Sequence, residues 1–173
     1  MEIDNVWLRY GLIYAGVSII LQLFTYYVYP LGLWLQSGLG LAVMIFIMVV
    51  AGKEERNVNV GLLSYGGAFK TTFLTGFIGT AIAGLFSIIL IQLIDPSLID
   101  KLTQMALDSS RSMMESMGMS EDKVAEAMDA AESGMADSFT PLKQLLNILW
   151  AAIFVAIIAA IVSIFIKKEE KII

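Results

Sequence analysis

Histidine and cysteine are both absent from the 173 residues. That removes disulfides, thiol nucleophiles, zinc sites of the Cys/His kind, haem ligation by histidine and every Ser-His or Cys-His catalytic arrangement. Charge is scarce too: 16% of residues are charged against 58% hydrophobic, too apolar a balance for a soluble domain of this length. The net charge of −5, with basic residues dispersed along the chain, argues against a nucleic-acid partner.

What is present is four uncharged runs, Tyr10 to Tyr29, Leu31 to Gly52, Thr71 to Ile94 and Gln144 to Ile166. Each has roughly the 20 residues that a helix needs to cross a hydrocarbon core of about 30 Å. A soluble bundle would show a polar face on each helix, and the strands of a β-barrel would alternate polar and apolar residues; these runs do neither. The first run does not read as a signal peptide and is expected to be retained as a helix: Glu2 and Asp4 precede Arg9, the apolar stretch exceeds the usual length, and no small-residue cleavage pattern closes it. The sequence predicts an all-α integral membrane protein, residues 1–173 forming a single membrane domain. Its four transmembrane helices lie near 10–29, 31–52, 71–94 and 144–166, with a connector at 53–70 and an external helical hairpin within 95–143.

Basic residues set the expected orientation. Arg9, Lys53, Arg56, Lys70, Lys167, Lys168 and Lys171 flank one side, whereas the external segment has four basic residues beside ten acidic ones. The positive-inside rule then places both termini in the cytoplasm. Trp7 and Tyr10 would sit at the inner interface, and Tyr26, Tyr27, Tyr29 and Trp34 at the outer one.

Burial of apolar surface does not drive helices together in lipid, so small residues and interhelical hydrogen bonds must do so. Gly11, Ala15, Ser18, Gln22 and Thr25 form such a stripe on the first helix. Gly76, Thr80, Ala83 and Ser87 repeat it on the third, and Ala152, Ala156, Ala159 and Ser163 on the fourth. Gln22 lies deep in its span, where an unpaired amide costs on the order of several kcal/mol, so it should find a partner on another helix, as structural glue or as the lining of a substrate path. The spans carry no Asp, Glu, Lys, Arg or His, which weakens any reading as an ion-coupled carrier or an intramembrane enzyme.

In the connector, Gly66-Gly67 lacks the spacing and the Lys-Ser/Thr ending of a phosphate loop. Tyr65 and Phe69, four residues apart, are expected to rest at the headgroup boundary while Lys70 reaches phosphate. The segment Ser64-Tyr65-Gly66-Gly67-Ala68-Phe69-Lys70-Thr71, Asp95-Pro96, and Gly118-Met119-Ser120-Glu121 in a Met-rich stretch resemble a bacterial family of small inner-membrane proteins, domain of unknown function 4199. The resemblance covers nearly the whole chain. It implies a Gram-negative envelope protein whose external side is periplasmic, and no established activity comes with it.

Asp95-Pro96 reads as the N-cap and first position of a helix reaching about Met117, and Gly118 breaks it. Ser120 then caps a second helix, with Glu121 and Asp122 in its first turn and an apolar stripe of Val124, Met128, Ala131 and Met135. Seven of the ten methionines lie in this segment. Met114 and Met117 have a spacing compatible with Cu(I), but Met113, Met117, Val124, Met128 and Met135 are better read as an adaptable apolar surface that closes the hairpin or docks on a partner. No catalytic residue, metal or cofactor is expected. The expected partners are the lipid bilayer and either a second copy of the chain or another envelope membrane protein. The leading expectation is a non-enzymatic assembly or accessory subunit, and the alternative is a small oligomeric transporter or lipid-handling protein.

Overall fold

The computed structural model describes residues 5–168, apart from the side chains of Leu33, Glu132, Ser133, Met135 and Ala136. It is all-helical, with no strand among the described residues. In chain order the helices are α1 (Val6–Leu23), α2 (Leu33–Val58), α3 (Tyr65–Ile89), α4 (Leu98–Ser116), α5 (Glu121–Asp137) and α6 (Pro141–Ile166). Four stretches are long and apolar enough to cross a membrane: Val6–Val28, Trp34–Val58, Tyr65–Ile94 and Pro141–Ile166. The chain is a multi-pass membrane protein in design.

Helix ends follow local chemistry. The polar run Lys53–Asn57 continues α2 instead of leaving it, and Asn59 stops the helix by donating its side-chain amide to the Glu55 carbonyl at 2.7 Å. Val60 and Gly61 then turn the chain with φ of 55° and 82°, values that a β-branched residue such as Val60 adopts only under strain. Ser64 caps α3 by accepting from the Gly67 amide at 3.2 Å. At the other end, α1 and α3 both finish in a π-helical turn, Phe24–Val28 and Leu90–Ile94, closed by amides reaching five residues back: Tyr29 to Phe24 at 3.0 Å and Asp95 to Leu90 at 2.7 Å.

The start of α4 corrects one expectation. Ser97, not Asp95, is its N-cap residue, and the helix begins at Leu98. The Asp95 carboxylate is drawn away from the helix amides by two hydroxyls, Ser97 at 2.5 Å and Tyr27 at 2.8 Å. Both donate to it and hold its pKa below the ordinary carboxylate range, the Ser97 bond contributing most. Gly118, at φ 76°, makes the turn between α4 and α5.

α3 is the central helix, packed on α1, α2 and α6. It runs parallel to α1, since Tyr14 meets Gly79 and Gln22 meets Ser87 further up both chains. It is antiparallel to α6, since Thr72 meets Ser163 while Gly84 meets Ile148. Parallel neighbours need a crossover, and α2 supplies it. The bulky outward residues of α6, among them Leu149, Trp150, Phe154, Ile157 and Phe165, are exposed, as a lipid-facing surface requires.

Candidate functional site

The part of α3 nearest the chain termini is closed by knobs from three helices. A side chain at Gly79 would collide with the Tyr14 ring of α1, and one at Gly76 with Met48 of α2 and Val155 of α6. Between these knobs the hydroxyls are paired. Thr72 and Ser163, both fully buried, lie 3.0 Å apart, so that one hydroxyl donates to the other and the accepting hydroxyl spends its own proton on a carbonyl of its helix, Ala68 at 2.9 Å from Thr72 or Ala159 at 2.5 Å from Ser163. Thr75, also fully buried, reaches the Trp7 carbonyl of α1 at 3.4 Å. Sequence reasoning passed over Thr72, Gly79 and Gly84, although Gly76, Gly79 and Gly84 share one helix with the stripe already chosen.

Beyond this collar, at the end of the bundle that carries α4 and α5, packing opens on both sides of α3. One cavity of about 340 Å³ lies among α1, α2 and α3, lined by Tyr14, Ser18, Gln22, Gln36, Thr80 and Ser87 together with small residues such as Gly40 and Ala83. A second, of about 420 Å³, lies between α3 and α6, and Thr80, Gly84 and Ser87 line it too, opposite Gln144, Asn147 and Ile148. Gln22 is central to the first. Its Nε2 donates to the Ser87 hydroxyl at 2.9 Å and to the Tyr26 hydroxyl at 3.1 Å, while its buried Oε1 has no partner among the described residues.

The stripe residues thus divide by depth. Gly11, Ala15, Gly76, Ala159 and Ser163 are buried in helix contacts, with Ile78 packed over Gly11. Ser18, Gln22, Thr80, Ala83 and Ser87 line cavity walls. Thr25 is fully buried, its hydroxyl returned to the Leu21 carbonyl at 2.9 Å, and Ala152 and Ala156 are half-buried.

Tyr26 departs from the interfacial belt expected of it. The π-helical turn rotates it inward, where it is buried with Leu90, Ile91, Leu98 and Leu102. Lys101 of α4 donates to its carbonyl, tying α4 to the end of α1. Further along the segment, Val124 is buried and Met128 half-buried, whereas Met113, Met117 and Met119, around the Gly118 turn, are exposed. The Met135 side chain lies outside the described residues.

At the terminal end a larger cavity, about 700 Å³, lies under the start of α3 and includes Asn5, Glu55, Ser64, Lys70 and Lys168 in its lining. Lys168 is held there by paired backbone bonds with Leu63, at 2.8 and 2.9 Å. Tyr65 is exposed, and Phe69 is half-buried within a stacked ladder, its ring 5.7 Å from Phe73, which lies 5.7 Å from Phe77. Glu54 of α2 takes hydrogen bonds from both Arg9 and Tyr10 of α1. The sequence places Glu54 in the connector, as one of the two acids of Lys53-Glu54-Glu55-Arg56, and nothing in that run marks it out as the partner of Arg9.

Compared with known proteins, the chain matches no curated protein and no solved structure. It does match one family model, described as "Protein of unknown function (DUF4199)", over residues 9–168. That match takes in three spans whole and all but the first three residues of the other, with every cavity wall except Asn5, Val6 and Trp7, and the chain belongs to this family.

Proposed function

We propose that the protein is a non-enzymatic inner-membrane subunit that acts by binding, with both termini in the cytoplasm and α4–α5 as a periplasmic hairpin offered to an envelope partner. The observation that carries this reading is the contrast within that segment. Its base is buried against the bundle through Leu98, Leu102 and the Lys101 bond, while Met113, Met117 and Met119 stand exposed around its turn. An anchored base with adaptable thioethers at the tip suits docking on another apolar surface. The small-residue stripes are largely spent inside the chain, which favours the hairpin over the helix faces as the point of contact.

Affinity purification in mild detergent tests this. A stoichiometric companion, lost when Met113, Met117 and Met119 are all changed to Ser, is the expected result; a lone monomer would sink the reading. Orientation is tested separately with Ser112→Cys and Asn57→Cys, each the sole thiol of its chain. An impermeant maleimide should label the first in intact cells with a permeable outer membrane and leave the second unlabelled.

A second reading, a small transporter or lipid-handling protein, is favoured by the two cavities flanking α3, whose walls set hydroxyl and amide side chains such as Gln22, Thr80, Ser87 and Asn147 among the small and apolar residues of the spans. Substrate-dependent flux or lipid transfer in liposomes would support it.

A further inference from the structure

We propose that the cavity among α1, α2 and α3 is a binding site for an uncharged, hydroxyl-bearing amphiphile, its headgroup held by Gln22 with Ser18, Gln36 and Thr80. This deepens the lipid-handling reading and rests on it for its biological use, although occupancy is measurable without any flux.

The walls choose the chemistry. The lining contains no Asp, Glu, Lys or Arg, so an ionised headgroup would lose its hydration without gaining a counter-charge. A purely apolar occupant fails for the opposite reason. It would leave the Gln22 carbonyl unpaired at membrane depth, with the hydroxyls of Ser18 and Thr80 and the Gln36 amide facing hydrocarbon. A neutral hydroxyl both donates and accepts, and matches every group on this wall. As placed, Oε1 is sealed from the cavity, and the amide must turn to present it; it can, because its terminal torsion is broad and the hydroxyls of Tyr26 and Ser87 serve equally as donors or acceptors.

Size and access agree. About 340 Å³ is at the small end of ligand sites, enough for a glycerol- or sugar-sized headgroup and too little for a long chain as well. The wall residues belong to the apolar spans, so an occupant arrives from the bilayer and its tail remains there. On the α2 side the wall is Gly40, where an added Cβ would meet no atom within 4 Å. A Cβ there disturbs no existing contact, and a longer side chain extends into the cavity. Gly38, equally open but outside the cavity lining, is the matched control.

The test is equilibrium binding of tritiated 1-monooleoylglycerol to the full chain in phosphatidylcholine nanodiscs, with empty discs subtracted. Saturable binding is expected, weakened about tenfold or more in both Gly40→Leu and Gln22→Leu and unchanged in Gly38→Leu. Oleoyl lysophosphatidic acid, the same chain with a phosphate, should not displace the probe. Gln22→Leu keeps the test decisive if Gly40→Leu misfolds. The proposal is overturned if no saturable component exceeds the empty discs, as for a cavity that holds only water. It is equally overturned if both variants bind like the wild type, or if the groove proves to be filled by a second copy, seen as a dimer that Gly40→Leu dissociates. Transfer of the probe between vesicles separates site from reading. Binding without transfer supports the site and removes the lipid-handling role; transfer that survives Gly40→Leu removes the site and leaves the role.

Discussion

Two stretches of one helix, Thr72–Gly79 and Thr80–Ser87 of α3, are built from similar small and hydroxyl residues and end in opposite states. The first is a sealed collar, and the second has a cavity on each side. The difference lies in what faces them. Tyr14, Met48 and Val155 drive into the glycine notches of the first; in the second, Ile148 of α6 enters the notch at Gly84, but Ser18, Gln36 and Gly40 on the α1–α2 side are too small or too polar to fill the space beside it. Hydrogen bonding divides the same way. Thr72 and Ser163 satisfy each other, while the two buried side-chain polar atoms without a partner among the described residues, Gln22 Oε1 and Thr103 Oγ1, belong to the half beneath and including α4. A small-residue stripe therefore encodes proximity only where the neighbouring helix brings bulk; elsewhere it encodes space.

The largest effect expected comes from forcing the first stretch to resemble the second. Gly79→Leu has to displace the Tyr14 ring and should destabilise the bundle by about 3 kcal/mol, read by unfolding in mixed micelles. Full stability in this variant would show that the collar is not close-packed. Thr72→Val, which leaves Ser163 with only its own helix carbonyl, should cost about 1 kcal/mol, and its double-mutant cycle with Ser163→Ala should show coupling of similar size.

The open half responds more weakly. Asp95 has a folded pKa below its ordinary value, so its contribution is fully present above the ordinary carboxylate range and fades as pH falls through that range to the lower folded value. Asp95→Asn should remove this acid-side loss from the melting profile; an unchanged profile would mean that the Ser97 and Tyr27 bonds do not matter to the end of α3. Smallest of all, Gly40→Leu should change stability by no more than about 0.5 kcal/mol, since its Cβ meets no atom within 4 Å and the rest of the side chain has the cavity to enter. A large loss there would erase the distinction between the two stretches.

Much of the fold was legible because lipid imposes long uncharged runs, and the four spans stand out without any knowledge of packing. Helix ends were less legible. Lys53–Asn57 looks like a connector by charge yet continues α2, because a helix emerging from the membrane meets no change in its own hydrogen bonding. Of the site, the spacing of Ser18 and Gln22 was visible, as was that of Thr80 and Ser87; the fact that Gln22 reaches Ser87 was not. That contact depends on the parallel register of α1 and α3, set by Tyr14 in its notch at Gly79. Tyr26 was misplaced for a related reason. A π-helical turn adds a residue to the repeat and swings the ring from the interface to the interior, and no local composition announces it.

The Thr72–Ser163 pair has a consequence in time. Its partners are separated by 91 residues, and at roughly 5–20 residues per second the ribosome makes the second some 5–18 s after the first. Through that interval α3 waits with the face that α6 will cover still open, its Gly76 notch lacking Val155 and its buried hydroxyl lacking Ser163. The helix at the centre of the finished bundle thus stays open on one face until the last span is made, as does the face of α2 that Ile166 will cover. Release of the last helix into the bilayer, not insertion of the first three, is the event that closes the molecule.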